Sequence, residues 1–286
     1  MATLKEVQQR IQGVQSTQKI TRAMKIVAAT KLKNLERQRT SARDFSRKLE
    51  TMLQNIIRYG YHPRHPLMAE RTEGGKCGLI IIGSDRGLCG GFNSNLFRQA
   101  REFIEKHVSC EQSEIITIGK RTHDFFKKTG LSIAHSITYY EKEDRRELIE
   151  GLTDRIVKSY MAGEVDSWGI ISNRFSSKVS YGFNHDMLIP VTLQETEERD
   201  DSLYIFEDAM EDVLEYVIPR FVSDYLYRSL LESQNAEELA RMMAMDQATE
   251  NADELIGDLT LFYNRTRQQV ITREISEIVG GAEALA

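Results

Sequence analysis

Leu4-Lys5-Glu6-Val7-Gln8-Gln9-Arg10-Ile11-Gln12-Gly13-Val14 is the stretch that decides how this chain is read. Leu4, Val7, Ile11 and Val14 recur at spacings of three, four and three, the seam of a helix that packs along another helix. The composition stays rich in Lys, Arg, Gln, Ala and Leu, without proline and with Gly13 as its one glycine, so one helix is predicted from about Leu4 to Tyr59. The polar run Gln15 to Lys19 interrupts the seam, which is expected to resume at Ile20, Met24 and Val27. A further stripe follows at Leu49, Met52, Leu53, Ile56 and Ile57. At about 1.5 Å per residue this helix is roughly 80 Å long, more than a small domain covers, so it projects from a body or runs along a partner.

The other end mirrors it. From Glu207 onward the pattern is helical, with Pro219 expected to start or kink the main helix. Beyond it, Gly257 is the one glycine before the pair Gly280-Gly281, which is read as a C-terminal cap. Phe221, Leu226, Leu230, Leu239, Met242, Leu255, Leu259 and Phe262 form the apolar stripe, broken by polar runs at Asp246 to Glu254 and Tyr263 to Gln269. Residues 1 to 60 hold 13 Lys or Arg against 4 Asp or Glu, and residues 206 to 286 hold 6 against 17. A basic segment can also bind nucleic acid or a membrane surface. The acidic C-terminal segment supplies a simpler partner, so the two ends are expected to pair as an antiparallel coiled coil. Residues 1 to 35 have the composition of a mitochondrial transit peptide, but the helical pattern continues past Lys33 with no cleavage signal, and targeting is discounted.

Between the ends the chain breaks at His62-Pro63, His65-Pro66 and Gly74-Gly75, and then alternates. Strands are predicted at Gly78 to Gly83, Ile115 to Ile118, Leu131 to Ile137 and Trp168 to Ser172, with a late pair at Val179 to Phe183 and Met187 to Leu193. Helices are predicted at Asn95 to His107, through Phe125 and Phe126, and at Leu148 to Met161. Strands separated by helices indicate a mostly parallel, doubly wound sheet. The fold class is therefore α/β: two long terminal helices forming the coiled coil, with an inserted Rossmann-like domain. The division is 1–62, 63–205 and 206–286.

The whole chain has 286 residues, 41% of them hydrophobic, with a mean hydropathy of −0.43. Its longest apolar run, Leu79 to Ile82, is far short of the roughly 20 residues that span a bilayer, so any membrane association is expected to go through a partner. Cys77, Cys89 and Cys110 form no CxxC pair and read as free thiols. The six histidines show no metal-ligand spacing, and no nucleophile stands beside a base and an orienting group. The one candidate for small-molecule chemistry is the loop Gly83-Ser84-Asp85-Arg86-Gly87-Leu88-Cys89-Gly90-Gly91, placed where a phosphate loop would sit. It matches neither GxGxxG nor GxxxxGK[ST], and Asp85 and Arg86 are expected to pair or cap rather than hold pyrophosphate. Neither cofactor nor metal is expected.

Three stretches carry a family resemblance. Gln15-Ser16-Thr17-Gln18-Lys19-Ile20-Thr21-Arg22-Ala23-Met24-Lys25-Ile26-Val27-Ala28-Ala29-Thr30-Lys31-Leu32 resembles the first helix of ATP synthase gamma subunits. Ser84-Asp85-Arg86-Gly87-Leu88-Cys89-Gly90-Gly91-Phe92-Asn93 is similar to that family's central-domain loop, and Ile271-Thr272-Arg273-Glu274-Ile275-Ser276-Glu277-Ile278-Val279-Gly280-Gly281-Ala282 to its C-terminal signature. The resemblance implies a non-catalytic central-stalk rotor that couples proton flow to ATP synthesis or hydrolysis. It implies the alpha and beta subunits of the catalytic hexamer, an epsilon subunit and a ring of c subunits as partners, without nucleic acid. The expected location is the cytoplasmic face of a bacterial membrane. It also implies contact with the beta subunits through Lys19, Arg22, Met24, Lys25, Arg267 and Gln268, a bearing tip at Ile275, Ile278 and Val279, and a c-ring side at Tyr204, Phe206 and Glu207. A dinucleotide-dependent enzyme with helical arms and a structural coiled-coil tether remain as alternatives on the residues alone.

Overall fold

Leu79 to Ile82 are four large apolar side chains in a row, a sequence that suits a strand covered on both faces. In the computed structural model, which describes residues 3–58, 65–69, 71, 75–107, 113–140, 144–177, 180–192 and 210–283, they lie in β1 (Cys77–Ile82), the middle strand of a five-stranded sheet. The chain divides into two compact units, Thr30–Ala240 and Met1–Ala29 with Arg241–Ala286. In chain order the elements are α1 (Leu4–Arg58), a short 3-10 turn (Pro66–Met68), β1, α2 (Phe92–His107), β2 (Glu114–Ile118), α3 (Lys120–Phe126), β3 (Ile133–Ile137), α4 (Arg145–Met161), β4 (Ser167–Ser177), β5 (Ser180–Ile189) and α5 (Met210–Glu283).

The sheet belongs to the larger unit. Its order is β3-β2-β1-β4-β5, with β1 to β4 parallel and β5 antiparallel to β4. Alternation along the strands divides the core. Leu79, Ile81, Ile115 and Ile171 pack with Leu96, Phe97, Ala100 and Ile104 of α2 and Phe126 of α3. On the opposite face, Ile80, Ile82, Ile116 and Ile118 meet Ile149, Leu152 and Ile156 of α4, Leu53 and Ile56 of α1, and the α5 row Leu214, Ile218, Val222, Leu226 and Leu230. The tie between α1 and α5 in this unit includes polar links, Ser46 Oγ donating to Asp224 and the Lys31–Glu238 ion pair at 3.4 Å. Residue numbers rise along one helix as they fall along the other, so the two run antiparallel.

Four details differ from expectation. The late strand pair is one strand, because Asn184, His185 and Asp186 keep pairing with Ser172, Ile171 and Ile170; their polarity is used by the Arg174 and Tyr225 side chains on Asp186. Of the two roles expected for Pro219, starting α5 is excluded: the helix begins at Met210 and passes through it, with Ile218 and Val222 buried on either side. Gly280 and Gly281 are inside α5 and do not cap it, since each glycine costs only about 1 kcal/mol in a helix. Finally, Ile20 and Val27 are exposed and Met24 half-buried, while Thr21 and Ala28 are buried. The inner face of α1 here is therefore the one that carries Thr21 and Ala28.

Two side chains make this packing testable. Burial raises the Asp224 carboxyl above its ordinary value, against the opposing pull of Ser46 and of Arg228, Arg220 and Arg146. The folded chain therefore holds that proton more readily than the unfolded one, so this group's contribution is fully present below the ordinary 3.8 and is lost as pH rises through the folded value. Asp224→Asn keeps an acceptor for Ser46, and should stabilise the chain at neutral pH but not below the ordinary carboxylate range, as read by denaturation across pH. Gly119 has φ +101, and a Cβ there would lie 2.8 Å from the Gly83 and Ser84 carbonyl oxygens. Gly119→Ala should lower the unfolding free energy by at least about 2 kcal/mol in urea titration.

Candidate functional site

The basic stretch of α1 has its counterpart in the polar run of α5. In the smaller unit Gln18 donates to Asp253, Lys25 pairs with Asp246, and Arg22 approaches Asp253 at 3.9 Å. Between them Thr21 and Thr249 share a hydroxyl hydrogen bond of 2.8 Å, both side chains buried, and Thr249 also donates to the Met245 carbonyl at 2.7 Å. These contacts run antiparallel. The interruption in the α5 stripe is thus the strip of acids and hydroxyls that meets α1.

Lys19, Arg22 and Lys25 are spaced by three, and the structure separates their situations. Lys19 is exposed, Arg22 is exposed with a long ion pair, and Lys25 is half-buried against Asp246. Exposed pairs of this kind contribute about 0–1 kcal/mol each and weaken with salt. Arg267 and Gln268 lie exposed on α5, as do Ile275, Ile278 and Val279. The structure does not bring these five together with the basic stretch of α1: they lie about four turns or more beyond Asp253 along α5. Tyr204, Phe206 and Glu207 fall outside the described residues. The residues missed from sequence are Thr21, Asp246, Thr249 and Asp253; for the two acids the signal was the polar run Asp246 to Glu254, without the register that sets them opposite α1.

The glycine-rich loop is occupied with its own neighbours. Asp85 Oδ1 accepts from the backbone N–H groups of Lys120 and Tyr139, both at 2.8 Å, tying together the turns after β2 and β3. Asn93 Nδ2 donates to Ser84 Oγ at 2.6 Å, and Ser84 Oγ to the Arg86 carbonyl at 2.7 Å. The crevice between β1 and β4, where the strand order reverses, is the usual ligand position in such sheets. Here Ser233 of α5 donates to the Ile82 carbonyl at 3.3 Å, and Asn173 to the Phe92 carbonyl at 3.0 Å. Of the two expected roles, capping backbone N–H groups is the one Asp85 shows. Among the described residues no group of three or more His, Cys, Asp or Glu is placed to hold a metal, and no helix is long and apolar enough to cross a membrane.

A family model described as ATP synthase matches residues 3–285. The chain is 37% identical to the ATP synthase gamma chain of Chlorobium phaeobacteroides, over 100% of this chain and 99% of that one. It is 39% identical to that of Symbiobacterium thermophilum over 98% of each. Its fold is similar to a chain of the Euglena gracilis mitochondrial ATP synthase, with a TM-score of 0.69 at 18% identity, covering 99% of this chain and 94% of that one. A central-stalk chain of the Tetrahymena thermophila enzyme gives 0.61 at 21% identity, covering 80% and 99%.

The Lys25–Asp246 contact gives a test of the pairing. A cycle of Lys25→Glu, Asp246→Lys and the double exchange should yield a coupling of at most about 1 kcal/mol that shrinks as salt is raised. A coupling of several kcal/mol, insensitive to salt, would mean a pair shut away from water.

Proposed function

The chain belongs to the ATP synthase gamma-chain family, and from that membership we propose how its helices and sheet serve a rotor. It is a non-catalytic subunit of the central stalk of an F-type ATP synthase and couples proton flow to ATP synthesis or hydrolysis by rotation. The observation that carries the reading is the far part of α5, where Leu261, Phe262, Ile271, Ile275, Ile278 and Val279 stand 46–72% exposed. A run of large apolar side chains left open on a helix is the mark of a surface that partners cover.

Residues 1–62 and 206–286 form an antiparallel coiled coil, and 63–205 a Rossmann-like body. The alternating alpha and beta subunits surround the coiled coil, and the body meets an epsilon subunit and the ring of c subunits at the cytoplasmic face of the membrane. Lys19, Arg22, Met24 and Lys25 face an acidic loop of the beta subunits. Because the ion pair of Arg22 to α5 is exposed and that of Lys25 is open to water over part of its surface, trading them for an acidic partner loop costs little, which suits a surface that meets three such loops in turn. Arg267 and Gln268 hydrogen-bond a beta-subunit loop, and Ile275, Ile278 and Val279 turn in an apolar sleeve, where contacts without strong direction do not lock one angle. Tyr204, Phe206 and Glu207 lie on the c-ring side. Each angle of such a shaft favours one conformation of each catalytic subunit through differential contact, which is the linkage that rotation requires.

The direct test is rotation. A bead linked to the surface of α2 in an immobilised complex should turn in one direction during ATP hydrolysis and stop when ATP is withdrawn; a bead that only fluctuates would remove the rotor reading. Arg267→Ala should lower ATP turnover of the reconstituted complex severalfold while helix content by circular dichroism is unchanged. Unaltered turnover would remove that contact from the scheme.

A further inference from the structure

Gly13 is the only glycine of α1, and Gly257 is the only glycine of α5 ahead of Gly280 and Gly281. The antiparallel contacts put them at one level. One turn toward the N-terminus from Gln18 lies Val14, beside Gly13; one turn toward the C-terminus from Asp253, its partner, lies Gly257. Packing does not ask for either glycine, since a Cβ built at each would meet nothing within 4 Å. Both have helical backbone, so no left-handed conformation asks for them. What they do supply is a weaker helix in both members of the pair at the same height, because glycine adds backbone freedom that a helix must suppress.

The contacts change character at that level. The hydrogen bonds and ion pairs described between the two helices in this unit, at Gln18–Asp253, Thr21–Thr249, Lys25–Asp246 and Arg22–Asp253, all lie on one side of it. On the other side the buried apolar residue among those described is Val7, and no polar link between the helices is described there. We propose that Gly13 and Gly257 form a soft joint, a level at which the end of the helix pair bends and twists relative to the polar-tied stretch beside it. The joint is a property of this chain's own helices and does not rest on the rotor reading.

Hydrogen exchange on the full-length chain tests it. Amides whose helical bonds span the level, about 13–17 in α1 and 257–261 in α5, should exchange faster than those on both sides. Gly13→Ala and Gly257→Ala should each slow local exchange about four- to fivefold, and together remove the minimum. A protection profile that declines smoothly toward the helix ends, with no minimum at this level, would overturn the proposal. So would slowing by the double exchange that is spread evenly along both helices. Whether the chain assembles and rotates is read separately, so failure of the joint and failure of the rotor reading give different results.

Discussion

The larger unit depends on burying one face of α5, from Leu214 to Leu231, against the sheet and α1. That face covers Ile80, Ile82, Ile116 and Ile118, which would otherwise leave half the sheet open to water. It also fixes the position of the next two turns, where Ser233, Gln234, Asn235, Glu237 and Glu238 are buried despite their polarity. Burying polar groups is costly unless they find partners, and part of that cost is met here: Ser233 reaches the Ile82 carbonyl, Asn235 Nδ2 the Leu231 carbonyl, and Glu238 the Lys31 ammonium, while Gln234 Oε1 and Asn235 Oδ1 accept no hydrogen bond. The helix is thus seated first by apolar area and then oriented by hydrogen bonds, and the same seat fills the crevice of the sheet.

Beyond Ala240 the basis of pairing changes. The smaller unit has few large buried side chains: Val7, Ala28, Met245 and Ala252 are the buried apolar residues there. Its helices are held instead by a buried pair of threonine hydroxyls and by exposed charges on either side. This leaves the larger apolar residues, Ile20, Ile26, Val27, Leu261 and Phe262, on the outside. A helix pair that used them for its own seam would have none to offer a partner.

Much of this was legible in the sequence because it rests on periodicity. The four parallel strands, the helices between them and the two long terminal helices follow from runs such as Leu79–Ile82 and from the absence of proline in α1. What periodicity misread were places where polarity serves a tertiary contact. Asn184-His185-Asp186 looked like a break because their ladder pairing, and the contacts of Asp186 to Arg174 and Tyr225, come from elsewhere in the chain. Ile20 and Val27 looked like seam because an apolar residue left on the outside of a helix has the same spacing as one facing the next helix. For the site, the basic spacing of Lys19, Arg22 and Lys25 was readable, but the Asp246 and Asp253 opposite depend on a register that only the fold supplies.

The open apolar row of α5, from Leu261 to Val279, has a consequence for the cell as well as for the complex. A copy of this chain that has not met its partners carries the surface that chaperones and proteases use to recognise unfinished proteins, although its sheet is fully formed. Completing the sheet therefore does not by itself hide this row of side chains.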